Sequence, residues 1–269
     1  MIIFPFCKIN LGLSVIEKRS DGFHNLETVL YPIQIKDALE IIPTLGKFEF
    51  SISGLPIEGN PEQNLVVRAY RMIEKDFNIG PVHIHLHKVI PAGAGIGGGS
   101  SDASHTLLLL NKLFSLNLTL GRMENYARQL GSDCAFFLNN KPKLAYEKGD
   151  LFKQANVNLE SYTIMVVKPN ISINTGEAYG WISPSKKDTP LTDILELPVR
   201  EWEGKLINDF EAPVFERYPK LAEIKAKIRS SGAIYSSLTG SGSAIYGIFH
   251  KTDFPEKKID IPGAFIWVS

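Results

Sequence analysis

The chain has 269 residues, of which 44% are apolar and 22% are charged, and this balance indicates a folded protein of one large domain or two smaller ones. The 29 basic and 29 acidic side chains cancel, which argues against a nucleic-acid-binding surface, because such a surface usually needs excess lysine and arginine. No run approaches the ~18 apolar residues of a membrane span, and the first residues do not resemble a signal peptide. We therefore expect a cytoplasmic protein whose two cysteines are reduced.

Hydrophobic periodicity predicts strands and helices along the whole chain. Strands are predicted at 6–15, 28–35, 39–42, 48–52, 82–89, 162–167 and 245–249. Helices are predicted at 64–77, 100–114, 120–130 and 220–230. The proline-containing region 183–198 is expected to be irregular. We place a domain boundary near residue 150, so that 1–150 forms a domain of mixed sheet and helices and 151–269 forms a smaller α/β domain.

A glycine-rich segment lies between the strand predicted at 82–89 and the helix predicted at 100–114. Five of the seven residues from Gly93 to Gly99 are glycine. Glycines allow positive φ angles and close approach of the backbone to a ligand, and the helix that follows adds N–H donors and the positive end of its dipole. We predict a phosphate site. Its candidate residues are Pro91, Ala92, Gly93, Ala94, Gly95, Ile96, Gly97, Gly98, Gly99, Ser100 and Ser101.

Two common phosphate-binding patterns fit this segment poorly. A Walker A loop needs Gly-Lys-Ser/Thr, whereas Gly99 is followed directly by Ser100. The residues from Gly93 to Gly98 do satisfy GxGxxG, but a dinucleotide-binding unit also needs a second strand that ends in an acidic residue about 20 positions on. Here a second helix is predicted instead, so the pattern disfavours a dinucleotide-binding fold.

Three histidines, His83, His85 and His87, alternate along one predicted strand and therefore share one face. An H-x-H-x-H face can bind a metal ion. Because no carboxylate or cysteine partner is evident, a solvated strand face is the favoured interpretation, and we predict no metal site among the protein's own side chains.

Three segments together resemble motifs of the GHMP kinase family, which includes galactokinase, homoserine kinase and mevalonate kinase. They are Cys7–Leu13, Pro91–Ser104 and Leu238–Ala244, in the same order as in the family, and they span nearly the whole chain. The combination of Lys8–Leu11 with Asp21–His24 resembles one branch of the family, whose acceptor is a methyl-branched sugar alcohol that carries a cytidine diphosphate group.

The resemblance implies an α+β fold with two domains. The N-terminal ATP-binding domain would have a mixed sheet with a left-handed crossover, and the smaller C-terminal domain would be an α/β sandwich. The implied activity is ATP-dependent phosphorylation of an alcohol in the non-mevalonate route to isoprenoid precursors, with ATP and Mg²⁺. The implied partners are small molecules, without nucleic acid or membrane, and the implied assembly is a monomer or homodimer. Homoserine or a mevalonate-like alcohol is the alternative acceptor, and a non-catalytic nucleotide sensor is the alternative function.

The resemblance also implies roles for individual residues. Asp133 would be the general base for the acceptor hydroxyl, and Lys8 would keep that carboxylate ionised and offset developing charge. Phe23, where the family more often has tyrosine, would stack on the cytosine ring. The other residues implied on the substrate side are Asn10, His24, Lys88 and Thr175.

Overall fold

The computed structural model describes residues 1–255 and 259–269, which form two compact units. The first unit comprises Met1–Lys8, Pro32–Ala92 and Gly97–Asn140, and the second comprises Ile9–Tyr31, Gly93–Ile96 and Lys141–Ser269. The units therefore interleave along the chain. A division of the family domains near residue 150 stays a prediction.

The strands and helices follow one another in a mixed order. The strands are β1 (Ile2–Ile3), β2 (Phe6–Lys18), β3 (His24–Lys36), β4 (Ala38–Pro43), β5 (Glu49–Gly54), β6 (Val82–Lys88), β7 (Lys143–Tyr146), β8 (Leu151–Gln154), β9 (Tyr162–Lys168), β10 (Tyr235–Leu238), β11 (Ile245–His250) and β12 (Phe265–Val268). The α-helices are α1 (Leu65–Phe77), α2 (Gly98–Leu113), α3 (Leu120–Leu130), α4 (Thr175–Tyr179), α5 (Leu191–Leu195), α6 (Glu211–Arg217) and α7 (Pro219–Ser230).

The first unit contains a sheet with the strand order β1-β4-β6-β5. β4 pairs with β6 in antiparallel register, whereas β5 pairs with β6 in parallel register. Because parallel neighbours need a crossover connection, the chain passes from β5 through α1 to β6. The handedness of that crossover stays a prediction. α1 packs against α2, and α3 packs against both.

α1 shows why the predicted helices form where they do. The Asn64 side chain accepts a hydrogen bond from the backbone N–H of Val66 at 2.9 Å and so caps the helix. Apolar residues at helical spacing, including Tyr70 and Ile73, are buried on one face. The helix ends at Asn78, which adopts the left-handed conformation with φ 48°.

The second unit contains an antiparallel sheet with the order β10-β11-β9-β12. α7 packs on β10 and β11, and α6 packs on α7. Their apolar faces share one core with Leu13 and Val15 of β2. A third sheet has the order β2-β3-β7-β8, of which Ile9–Lys18, His24–Tyr31 and the whole of β7 and β8 belong to the second unit.

The prediction of mixed helices and sheets is confirmed. The prediction for 183–198 was wrong in part, because Pro190 precedes a short helix, α5, with Leu191 and Leu195 buried. Both cysteines are free thiols, and both are buried. Within residues 1–255 and 259–269, no helix is long and apolar enough to cross a membrane.

Candidate active site

In the first unit, the last residues of the glycine-rich segment, from Gly97 on, lead into the N-terminus of α2. Gly97 has φ 73° and is the N-cap residue of the helix, and among the described residues no side chain caps the helix. The first intrahelical bond runs from the Ser101 N–H to the Gly97 carbonyl at 2.9 Å. The N–H groups of the turn before it are therefore available to an anion, and the helix dipole adds positive potential.

Gly97 also needs its lack of a side chain for steric reasons. A Cβ at this position would lie 2.7 Å from Cζ of Phe137 and 3.4 Å from Cε of Lys8. The residue is thus glycine both because of its positive φ and because of close packing.

Lys8 and Asp133, 125 positions apart in the sequence, form an ion pair in the first unit. Nζ of Lys8 lies 3.5 Å from Oδ2 of Asp133. The Lys8 side chain is 4% exposed, whereas that of Asp133 is 37% exposed. A largely buried cation therefore lies beside a carboxylate that a substrate can reach.

The backbone turn that carries Asp133 is held by α2. Oγ of Ser104 donates to the Cys134 carbonyl at 2.6 Å, and the Cys134 N–H donates to the Gly131 carbonyl at 3.1 Å. Burial raises the pKa of the Cys134 thiol to about 12, so this thiol is protonated near neutral pH. These contacts fix the turn while leaving the Asp133 carboxylate accessible.

In the second unit, Thr239 connects residues from all three sequence motifs. Its hydroxyl accepts from the Asn10 N–H at 3.1 Å, and its own proton faces Oδ1 of Asn10 at 3.1 Å and the Gly95 carbonyl at 3.2 Å. Nδ2 of Asn10 donates to Oγ1 of Thr28 at 3.0 Å, and Asn10 is 3% exposed. Asn10 thus has internal partners for its amide and holds the motifs together.

Gly95 lies against the backbone of the third motif. A Cβ on this residue would come 2.3 Å from the Thr239 carbonyl oxygen and 3.0 Å from that of Gly242. The Ala244 N–H donates to the Ala94 carbonyl at 3.2 Å. The segment Gly93–Ile96 is therefore held by backbone contacts that a side chain at Gly95 would prevent.

Aromatic side chains lie at the start of β3 and in α4, also in the second unit. The Phe23 ring is 57% exposed, and Nζ of Lys148 lies 5.3 Å from its centroid. The His24 ring stacks on that of Tyr179, with centroids 4.8 Å apart and planes inclined by 13°. Burial, with a smaller contribution from Lys18, lowers the pKa of His24.

Thr175, a candidate for the substrate side, is the first residue of α4. Its hydroxyl lies 2.8 Å from that of Ser241, a residue of the third motif. Thr175 is exposed, so its hydroxyl can also face a ligand.

Lys88 does not have the surroundings expected of a residue that binds a substrate phosphate. Its side chain is 3% exposed, and Nζ lies 2.5 Å from Oδ2 of Asp37 and 2.8 Å from Oδ2 of Asp102. Because the carboxyl groups of two buried aspartates already contact this ammonium, we remove Lys88 from the proposed substrate set.

The histidines of β6 form hydrogen bonds with serines of β5. Oγ of Ser51 lies 3.0 Å from Nε2 of His83 and 2.8 Å from Nδ1 of His85. Oγ of Ser53 lies 2.9 Å from Nε2 of His85 and 2.8 Å from Nδ1 of His87. In the part of the chain that the structure describes, no group of three His, Cys, Asp or Glu side chains is arranged to hold a metal ion.

The sequence prediction missed several residues that contact the candidate residues within each unit. Thr239 lies in the third motif, Leu238–Ala244, but the sequence predicts no role for its hydroxyl. Tyr179 gave no signal, because its contact with His24 links residues 155 positions apart. Asp37 and Asp102 have no distinguishing feature in the sequence, and only the tertiary structure brings them into contact with Lys88.

Comparison with known proteins adds independent evidence. Models of the GHMP kinases N terminal domain and of the GHMP kinases C terminal region match residues 64–141 and 199–259. A 4-diphosphocytidyl-2-C-methyl-D-erythritol kinase of Bacteroides fragilis is 48% identical over 271 residues, covering 98% of this chain and 97% of that protein. A protein of the same name from Porphyromonas gingivalis is 44% identical, covering 100% of this chain and 99% of that protein.

A solved structure shows the same similarity in three dimensions. The crystal structure of a 4-(cytidine 5'-diphospho)-2C-methyl-D-erythritol kinase is 32% identical, with a TM-score of 0.78, and covers 92% of this chain and 90% of that chain. Both family models and these nearly full-length relatives agree, so this chain belongs to the GHMP kinase family of ATP-dependent phosphotransferases.

Proposed function

We propose that this enzyme transfers the γ-phosphoryl group of ATP to the 2-hydroxyl of 4-diphosphocytidyl-2-C-methyl-D-erythritol, a step of the non-mevalonate route to isoprenoid precursors. The names of relatives that match over nearly the whole chain support this acceptor. The observation that carries the chemistry is the ion pair between buried Lys8 and accessible Asp133. A cytoplasmic location stays a prediction.

Asp133 is the proposed general base. Its carboxylate accepts the proton of the 2-hydroxyl while that oxygen forms a bond to the γ-phosphorus and the bond between this phosphorus and the leaving ADP oxygen breaks. The Lys8 ammonium, 3.5 Å from the carboxylate, offsets negative charge that develops nearby. Phosphoryl transfer needs chiefly such positioning and charge compensation from the protein.

The residues present fit the phosphates of ATP. No side chain of the described residues caps the backbone N–H groups at the start of α2, and the glycine at position 97 leaves the backbone there without a Cβ atom. Mg²⁺ would arrive as its complex with ATP, bound mainly to phosphate oxygens, because this ion usually has few protein ligands. When bound, it would neutralise phosphate charge.

The aromatic residues of the second unit fit a nucleobase. The exposed Phe23 ring offers a face for stacking on cytosine, and Tyr179 adds a second aromatic ring beside His24. A neutral His24 has one donor and one acceptor nitrogen, which suits the mixed donor and acceptor edge of a base.

Product analysis tests this proposal. Incubation with Mg-ATP and the cytidyl alcohol should give a new phosphomonoester resonance in the ³¹P spectrum, with the diphosphate resonances of the acceptor retained. ATP consumption without a new phosphomonoester, or cleavage of the acceptor's diphosphate, would contradict the proposed reaction.

A further inference from the structure

A buried cluster of three charged side chains has no part in the chemistry proposed above. Nζ of Lys88, at the end of β6, contacts Oδ2 of Asp37 and Oδ2 of Asp102, and none of the three side chains is more than 3% exposed. Burial of charges is unfavourable unless their partners are well placed. Because this cluster lies beside the turn that is proposed to bind phosphate, it can have a role in shaping that turn.

The two carboxyl groups are held differently. Oδ1 of Asp37 accepts from the N–H groups of Val89 and Ile90 at 2.6 and 2.8 Å. Oδ1 of Asp102 is buried and has no hydrogen-bond partner among the described residues. An ionised Asp102 carboxylate would leave a buried, partly charged oxygen without a hydrogen bond, so the neutral acid is favoured.

Electrostatics agree with this geometry. Burial raises the pKa of Asp102 to about 8; the positive charge of Lys88 opposes the rise, and Asp37 adds to it by charge and hydrogen bonding. Near pH 7 the cluster therefore contains one ammonium, one carboxylate and one neutral acid, and its net charge is zero.

Other titratable groups lie close to the cluster. Burial raises the pKa of the Cys7 thiol in β2, and the nearby charges of Asp37 and Lys88 have smaller, opposite effects on it. The thiol is therefore neutral near pH 7. His105 lies one turn further along α2, and burial lowers its pKa. Lys8 packs near Gly97 and contacts Asp133. Ionisation of Asp102 is thus the charge change in this cluster that falls near pH 8.

The cluster contacts the turn proposed to bind phosphate. A Cβ on Gly98, the first residue of α2, would lie 3.4 Å from Nζ of Lys88 and 2.7 Å from Cγ2 of Ile90. Asp102 follows in the same helix one turn later. The start of α2 is therefore packed on Lys88 and tied to it through Asp102.

We propose that Asp102 is a positioning residue for ATP binding: by sharing the Lys88 ammonium with Asp37, it fixes the first turn of α2 so that the N–H groups of that turn meet the phosphates. This inference rests on the proposed role of the glycine-rich segment in ATP binding. A neutral cluster suits this place, because an additional buried negative charge one turn from the phosphates would oppose their binding.

The test measures ATP affinity by calorimetry without any acceptor, so it can be read even if the proposed acceptor proves wrong. Asp102→Ala removes the contact with Lys88 but leaves the Lys88–Asp37 pair, and we expect its Kd for ATP to rise about tenfold, which lies within the range for residues that act on a site without touching its ligand. Asp76→Ala, which removes an exposed carboxylate of α1, is the matched control and should stay within about twofold of the unmodified protein. A folded Asp102→Ala variant with unchanged affinity would overturn the proposal.

A pH profile provides a readout that a purely structural role would not change. In the unmodified protein, the Kd for ATP should rise about fivefold between about pH 7.5 and pH 9.5, as Asp102 ionises. Asp102→Asn cannot ionise and should not show this rise. The same rise in both proteins would overturn the proposal, and this comparison decides the matter even if Asp102→Ala does not fold.

Discussion

At the scale of single residues, Asp133 combines a fixed backbone with an accessible carboxylate. The Ser104 hydroxyl donates to the carbonyl of Cys134, the residue after Asp133, and Nζ of Lys8 lies 3.5 Å from the Asp133 carboxylate. The resemblance to the family predicted both roles from short motifs. What it could not predict is how the turn is held, because Ser104 contributes through a contact between residues 30 positions apart.

Replacement of Asp133 by asparagine tests its role as the base. Asn keeps the size of the side chain but cannot accept the hydroxyl proton, so we expect kcat to fall about 1,000-fold. ATP affinity, measured by calorimetry, should change little. Asp76→Asn on α1 is the control, and an Asp133→Asn variant with kcat within about tenfold of the unmodified enzyme would exclude the general-base role.

Phe23 allows a test of cytosine recognition. Because base–aromatic stacking contributes about 1–3 kcal/mol, Phe23→Ala should raise KM for the cytidyl acceptor roughly 5- to 150-fold, whereas Phe23→Tyr should keep KM near that of the unmodified enzyme. Phe4, which is 58% exposed compared with 57% for Phe23, provides a matched control as Phe4→Ala. Equal KM values for Phe23→Ala and Phe4→Ala would argue against stacking at Phe23.

At the scale of secondary-structure elements, the start of α2 favours glycine at position 97. At Gly97, φ is 73° and a Cβ would lie 2.7 Å from Phe137, whereas nothing lies within 4 Å of a Cβ at Gly99. Gly97→Ala should therefore lower the free energy of unfolding by about 1–3 kcal/mol, and Gly99→Ala should leave it unchanged or raise it by up to about 1 kcal/mol. Urea unfolding of both variants checks this, and equal effects would contradict it.

Strong periodicity predicted the elements that the structure confirms most closely. The prediction for 120–130 matches α3 (Leu120–Leu130), and that for 64–77 matches α1 within one residue. The hairpin of β7 and β8 was missed, because each strand has four residues and shows no clear alternation. β7 forms through its pairing with β3, where Thr28 lies opposite Ala145, and such long-range pairing cannot be read from a local pattern.

The histidines of β6 also show that contacts between strands cannot be predicted from a local sequence pattern. Their alternation correctly predicted one shared face of a strand. Whether that face held a metal ion could not be decided from spacing, because the ring nitrogens find their partners on β5. The parallel register that places Ser51 opposite His85 and Ser53 opposite His87 provides serine hydroxyls instead.

At the scale of the whole molecule, the sequence indicated the family and two-part organisation but not which segments pack together. Ile9–Tyr31 belongs to the second unit. Its contacts explain why: the Leu13 N–H donates to the Ile207 carbonyl at 2.9 Å, and the Tyr246 hydroxyl donates to the Asn10 carbonyl at 2.9 Å. Contacts between residues more than 190 positions apart leave no local signature.

For the candidate site, as for the fold, the sequence predicted individual residues but not their tertiary contacts. Motifs led to Lys8 and Asp133, which the structure brings together, and to Asn10 and Gly95, which meet at Thr239. Lys88 was misjudged, because proximity in sequence to the glycine-rich segment suggested a ligand contact. Its position between two buried aspartates depends on tertiary structure alone.

The most direct test of the proposed function is the rate of ADP formation with Mg-ATP and three acceptors in parallel: 4-diphosphocytidyl-2-C-methyl-D-erythritol, homoserine and mevalonate. Asp133→Asn provides the inactive control. We predict turnover with the cytidyl alcohol alone, and its loss in the variant. Turnover with homoserine or mevalonate instead would contradict the proposed acceptor, and ATP binding without turnover on any of the three would favour a nucleotide sensor.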